Sequence, residues 1–338
     1  MGQEWKLIAP ESWECFNWMG LELRQLLFNG DLERAVIHLA VPPKKRILTE
    51  LIPVPELFPS SVSPLVDLPT EILEEIISNL GVAETFFLGM CSQRLYFMCR
   101  EHLINILASQ CGRFAGTSLI CFGDGIDNHD FPPGIDWWPE IEEMQKLSNE
   151  CLSPYDLVGE FFTEIRGPPG LISALCLGTK SGPFSAAMSP LPRSYRVEIW
   201  SFLEFDHCSL YTNGPEWILR NLTTKEFVRH SVVAHGSNGP FRPTPRGVGF
   251  GEVLAVRTCW SSMAASCGIH RGVWAGHRFD ITLMDAIEGA DGWKDVSESL
   301  FEEIQCIWKR KYGDLWEEEW SGRGNEGPVR VPYDYISR

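Results

Sequence analysis

The sequence predicts an α+β protein: a small module of three helices, then a larger, mainly antiparallel β-rich domain that ends in a helix. Three observations carry this. Apolar residues recur at helical spacing over 65–108. From Phe114 onward, short β-like runs alternate with Gly/Pro/Asn turns, without the regular intervening helices of a parallel βαβ sheet. Leu300, Phe301, Ile304, Ile307, Trp308 and Tyr312 then return to helical spacing up to Gly313.

The elements follow in order. Residues 1–64 read as short helices and a linker. "GLELRQLLFNGDLERAVIHLA" (20–40) suggests two helices parted by Asn29-Gly30, and the Pro-rich stretch to residue 64, with its Lys44–Arg46 triplet, reads as extended chain. In 65–109 the first helix carries Pro69 in its first turn, where a missing N–H costs nothing. Glu71, Glu74 and Glu75 favour the positive end of its dipole, and Gly81 is the expected stop. "ETFFLGMCSQRLYFM" supplies a second helical stretch, and Cys99, Leu103, Ile106 and Leu107 a third.

The large domain is placed at 114–320, with a Gly- and charge-rich tail at 321–338. Its strand candidates are "TSLICF", "LISALCL", "YRVEIWSFLEF", "EWILRNL", "EFVRHSVVA", "GEVLAVRTCW" and "GVWAGHRFDITL", with helical inserts near 139–150 and 154–166. Asp295 and Glu298 have capping-box spacing ahead of the last helix.

Composition narrows the function. A chain of 338 residues buries a real core. With 29 Lys+Arg against 45 Asp+Glu the formal charge is −16, a field that repels phosphate backbones, so no nucleic-acid partner is expected. The N-terminal stretch has no basic segment followed by an apolar core, and no apolar run reaches about 18 residues, so neither a signal peptide nor a membrane partner is expected. The 11 Cys are scattered, odd in number and without a C-x-x-C pair, which argues against a zinc ribbon, a dithiol site or disulfides, and for a cytoplasmic or nuclear location.

"LVDLPTEILEEIISNLGVAETFFLGMCSQRLYFM" resembles an F-box. The matching residues are Leu68-Pro69, Glu71-Ile72-Leu73, Ile76, Leu80, Leu88, Cys91 and Leu95-Tyr96. Gly81-Val82-Ala83 stands where the family commonly has an acidic or Pro-containing turn, and the Leu80–Cys91 spacing is a residue short. The resemblance implies a three-helix unit that docks on the small Skp-type adaptor of SCF ubiquitin ligases, and through it on a cullin. It places Leu68, Pro69, Ile72 and Leu73 at that interface, with Ile76 shared between interface and module core, and counts Leu80, which closes the helix, among the partner-binding residues. Some forty residues in three short helices hold little core, yet this stretch carries more large apolar residues than such a core takes. The surplus faces a partner, the large domain or the segment 20–40. "GTSLICFGD" (116–124), "WILRNLTTKEFVR" (217–229) and "RGVWAGHRFDI" (271–281) are similar to segments found in this order downstream of F-boxes in a group of fungal proteins.

Chemistry in the large domain is sparse. Strand alternation over "RGVWAGHRFDI" sets His277 beside Val273, Ala275, Phe279 and Ile281, a core-histidine pattern, and sets Trp274, Arg278 and Asp280 on the other face. Those three are either structural or line a pocket that reads a target. Arg278 and Asp280 would pair with each other or with neighbouring strands. Asp124, Asp127, His129 and Asp130 form an oxygen-rich loop without EF-hand spacing, so a solvated turn is expected and no metal site. "GPFRPTPRGVGFGE" lacks a phosphate-loop Lys-Ser/Thr. No nucleophile elbow or catalytic set occurs, so no catalytic residue and no cofactor are assigned. The expected function is a non-catalytic substrate-recognition adaptor of an SCF-type ligase, with an unidentified target protein held by the large domain. The alternatives are a binding or scaffold protein whose F-box works outside an SCF complex, and an enzyme with its site in the β-rich domain.

Overall fold

The computed structural model describes residues 4–22, 27, 32–41, 64–135, 137–148, 152–165, 216–234, 248–263, 269–287 and 289–317. They fall in two compact units, one of 1–41, 112–167 and 213–338 and one of 42–111 and 168–212. The expected strands "LISALCL" and "YRVEIWSFLEF", the linker to residue 63 and the tail lie outside the described residues.

In chain order the elements are β1 (Glu4–Ala9), β2 (Glu14–Glu22), α1 (Glu33–Val36), α2 (Thr70–Ser78), α3 (Val82–Gly89), α4 (Gln93–Gln110), β3 (Ile120–Gly123), α5 (Trp138–Ser148), α6 (Pro154–Phe161), β4 (Thr163–Ile165), β5 (Trp217–Asn221), β6 (Glu226–Arg229), α7 (His230–Val233), α8 (Phe250–Thr258), β7 (Cys259–Trp260), β8 (Phe279–Leu283), β9 (Lys294–Asp295) and α9 (Ser297–Tyr312). The architecture is α+β with two mixed sheets.

The large unit is built on those sheets. The first runs β4-β2-β1-β3-β7; its central pairs β2-β1 and β1-β3 are antiparallel and its two edge pairs parallel. The second runs β8-β5-β6-β9, antiparallel except for the short β6-β9 edge. One apolar cluster gathers Ile8, Ile120, Phe122, Trp137, Ile141 and Val158, joining the first sheet to α5 and α6. Trp137 meets Phe122 and Phe162 edge to face, the geometry aromatic quadrupoles favour.

The N-terminal reading is corrected here. Residues 20–22 end a strand rather than begin a helix, and 4–22 supply two strands of the first sheet. The signal was weak because β1 does not alternate: Trp5 to Ala9 are all buried, including Lys6 at 8% exposure. Lys6 is tolerated because its Nζ donates to the Tyr155 carbonyl at 3.3 Å and sits 3.8 Å from the centre of that ring. Burial pulls its pKa below the ordinary lysine value.

"GEVLAVRTCW" is also corrected. It forms α8 and only then the two-residue β7. Every α8 residue but Arg257 is buried, polar Glu252 and Thr258 included, and a helix buried all round has no stripe to betray it. The deciding contact is Glu252 Oε2, which accepts from the Gly249 N–H at 2.7 Å and satisfies a donor ahead of the helix. The capping box expected at Asp295 and Glu298 is replaced by a nearer device. Asp295 precedes the N-cap Val296, and its Oδ1 accepts from the Ser297 N–H at 3.0 Å and from the Ser297 hydroxyl. α9 ends at Gly313, where φ is +57°.

The small unit contains α2, α3 and α4. Its buried residues include Leu73, Ile77, Phe86, Leu95, Tyr96, Cys99, Leu103 and Ile104. α2 packs on α4, and α3 lies against α4 so closely that a Cβ on Gly89 would meet Cys99 Cβ at 3.0 Å. Gly81 does not stop the first helix. α2 is capped at Asn79, whose Nδ2 donates to the Glu75 carbonyl at 2.7 Å, and Gly81 is the N-cap of α3.

Candidate functional site

In the three-helix unit, Pro69 is the N-cap of α2, one residue earlier than expected, and its carbonyl accepts from the Ile72 and Leu73 N–H groups, both at 3.1 Å. Ser92 caps α4 by accepting from the Leu95 N–H at 3.2 Å. Arg94 reaches back from α4, donating to the Val66 carbonyl and, at 3.1 Å, to Thr70 Oγ1. This one guanidinium fixes the chain ahead of α2 against the start of α4.

The structure separates the candidate interface residues. Ile72 is exposed and Pro69 is exposed; Leu68, Ile76 and Leu80 are half-buried. Leu73 is corrected: it has no exposed surface and belongs to the buried side of α2 with Ile77, four residues on. Two exposed apolar residues were missed. Phe87 on α3 is 50% exposed and Phe97 on α4 is 44% exposed, close to Ile72 at 49%. The signal for Phe87 was present in the pair Phe86-Phe87. Adjacent helical residues point about 100° apart, so a short helix packed on one side tends to bury one of them more than the other. Phe86 is 1% exposed and took the inside.

Residues 65–107 match the family model of the F-box domain. The chain contains an F-box domain. F-box domains in general serve as substrate-adaptor modules of SCF-type ubiquitin ligases, in which they bind a Skp-type subunit associated with a cullin. The F-box of this chain coincides with α2, α3 and most of α4. No curated protein and no solved structure matches the chain. Among the described residues, no helix is long and apolar enough to cross a membrane.

The three residues singled out downstream of the F-box do not form one pocket. The strand expected over "GVWAGHRFDI" begins only at Phe279, because 273–276 is a turn with Gly276 at φ +81°. Trp274 is 2% exposed. Its indole N–H donates to Glu226 Oε2 at 2.9 Å, Phe279 lies 5.9 Å from its ring, and the Arg257 guanidinium sits 5.3 Å from the ring centre. It is a core residue of the large unit. Asp280 is held by Arg220 on the facing strand through two bonds of 2.8 and 2.6 Å, the bidentate form that fits a guanidinium to a carboxylate. Arg278 instead donates to the Gly116 carbonyl at 3.2 Å and pairs with Glu11.

His277 also differs in its partner. Asn221 is fully buried, and its Oδ1 accepts from the Thr223 and Thr224 N–H groups at 3.0 and 3.2 Å. That fixes the amide, so Asn221 Nδ2 is the donor to His277 Nδ1 at 2.9 Å. A ring nitrogen that accepts carries no proton, so His277 is neutral in this arrangement. Burial agrees, holding its pKa below the usual value.

The acidic loop is tied into the protein. Asp130 takes both ends of the Arg271 guanidinium and the Ser262 hydroxyl, and its carbonyl accepts from the Trp260 N–H at 2.9 Å. The hydrogen bonds from Arg271 hold its carboxyl below the usual range. Among the described residues no group of three or more metal-ligating side chains is brought together. None of the described cysteines is in a disulfide; Cys15, Cys99, Cys111, Cys121 and Cys259 are buried, Cys91 and Cys306 exposed. Burial pushes Cys15 up to about 11 and Cys99 up to about 12, the opposite of a nucleophile.

Proposed function

We propose that this chain is a non-catalytic substrate-recognition adaptor of an SCF-type ubiquitin ligase. Its F-box would bind a Skp-type adaptor, and through it a cullin, while the β-rich unit captures a target protein. The protein would work in the cytoplasm or nucleus, as its dispersed, odd-numbered cysteines suggest.

The observation that carries the reading is the surface of the F-box. Each of its three helices exposes one large apolar side chain at 44–50%: Ile72, Phe87 and Phe97. A unit whose Leu73, Ile77 and Phe86 are already buried gains nothing from them in its own core. Covered by a partner, each would contribute about 1.5–3 kcal/mol at most. We place Leu68, Pro69, Ile72 and Phe87 at the adaptor interface, with Ile76 and Leu80 at its margin and Leu73 behind it as support. The adaptor then acts by effective concentration, holding a target beside the catalytic subunits, and needs no catalytic group of its own.

The test is affinity purification of the full chain under proteasome inhibition, read by mass spectrometry. The reading expects a Skp-type adaptor and a cullin together, plus proteins whose ubiquitination depends on the bait. Recovery of the adaptor without a cullin would contradict the ligase role.

A further inference from the structure

We propose that a cleft in the large unit, framed by α8, the segment 269–273 and α9, is a binding site for a carboxylate group. The cleft has a volume of about 270 Å³ and is lined by Arg257, His270, Arg271, Glu303, Ile307 and Arg310 among others. This is an unusual lining for a chain with 45 acidic against 29 basic residues. Three guanidiniums converge where the protein's overall field is repulsive to anions.

Two of the three are held in place by the same two-sided device. Arg257 pairs with Glu303 at 3.1 Å and sits over the Trp274 ring. Arg271 pairs with Asp130 and sits 4.5 Å from the centre of the Trp260 ring. An aromatic face on one side and a carboxylate on another restrict a guanidinium to one orientation. Both forks are thus ordered, and each already serves a carboxylate, so they fix the wall of the cleft while Arg310 supplies the charge a ligand meets.

Charge counting selects the ligand. Arg257 and Glu303 cancel, as do Arg271 and Asp130. Arg310 remains, on the exposed last turn of α9, where the negative end of the helix dipole offsets part of its charge. About one positive charge is left, which matches a carboxylate and not a phosphate dianion. The volume is below the roughly 300 Å³ at which small-molecule pockets begin. It suits one side chain or a small acid rather than a nucleotide. Two sources fit this chemistry, an acidic residue of a protein segment and a free small carboxylic acid. The inference does not rest on the ligase reading, because no F-box residue lines the cleft.

The test is calorimetric titration of the full chain with four probes: a blocked Ser-Ala-Glu-Ala-Ser peptide, its Gln counterpart, propionate and inorganic phosphate. The Glu peptide should bind at least about tenfold more tightly than the Gln peptide, and binding should weaken as salt rises. Arg310→Ala should cost about five- to tenfold, with Arg310→Lys recovering part of it. Val273 lines the rim at 64% exposure, so Val273→Glu should repel the ligand without disturbing the core. Propionate binding as well as the peptide would assign the site to free acids; a clear preference for the peptide would assign it to a protein segment. Equal binding of the Glu and Gln peptides would overturn the proposal. So would tighter binding of inorganic phosphate than of the Glu peptide, or unchanged affinity in both folded variants. Adaptor binding should be unaltered by Arg310→Ala, so the failure of one reading leaves the other standing.

Discussion

The F-box and the large unit differ in how densely they expose big side chains. The large unit buries Trp5, Trp217, Trp274 and Trp308 to at most 2% exposure and matches Asp280 with Arg220 across two strands, while its exposed apolar residues, Trp13, Leu147, Met263 and Leu315 among them, are spread over a much longer stretch of chain. The F-box leaves Ile72, Phe87 and Phe97 about half exposed within 43 residues. The large unit therefore carries much of its stability in named interior contacts, whereas the F-box holds apolar surface in reserve. Substitutions should sort accordingly, with stability effects in the one and binding effects in the other.

The largest stability effect is expected at Trp274. Trp274→Ala removes a buried indole and leaves Glu226 and Arg257 without their contacts to it, a loss of about 3–5 kcal/mol. Thermal melting beside the wild type reads this; a stable Trp274→Ala protein would mean the residue is not core. Arg220→Ala comes next. It strands Asp280, whose side chain is 14% exposed, at a cost of about 2–4 kcal/mol, measured by urea unfolding. The same change at Phe87 should stay within about 0.5 kcal/mol, because half of it is already in water and Phe86 beside it keeps its buried place. A large loss there would erase the contrast.

Acid should act on the large unit in particular. His277 and His230 both have pKa values lowered by burial. In the unfolded chain they take up protons near pH 6.5, so the folded state binds fewer protons just below that pH. Their contribution is complete above about pH 6.5 and is lost as pH falls from there towards their folded values. Denaturant midpoints should decline over that interval, and His277→Gln should flatten the decline. The smallest expected effect is chemical: among the described thiols, iodoacetamide should label Cys91 and Cys306 readily in the native protein and leave Cys15, Cys99 and Cys121 unlabelled.

What could be read from sequence follows the same division. The F-box helices are short, amphipathic and separated by turn residues, and α2 shows its buried side as Leu73 and Ile77 at helical spacing. α9 was legible for the same reason, with Leu300, Ile304, Ile307 and Trp308 buried. Elements enclosed on all sides were not. β1 and α8 are buried almost throughout, Lys6 and Glu252 included, so neither carries a clean period-2 or period-3.6 alternation. Side-chain partners were legible only in part. Pairing of Asp280 with a neighbouring strand was one of the two expected arrangements, but the partner, Arg220, lies 60 residues away and is supplied by strand register. Arg94 and the cleft of Arg257, Arg271 and Arg310 depend equally on which segments the fold brings together.

The central claim is that the apolar side chains left outside the F-box belong to a partner. The most direct measurement is a binding titration of purified Skp-type adaptor against the wild-type chain and an Ile72→Ala/Phe87→Ala variant, with circular dichroism to confirm the fold. The account predicts an unaltered melting transition and an affinity lower by roughly tenfold to a few hundredfold, as expected if each side chain contributes on the order of 1–2 kcal/mol. Unchanged affinity in a folded variant would contradict it. Parallel loss of folding and binding would also contradict it, because the two side chains would then be serving their own protein.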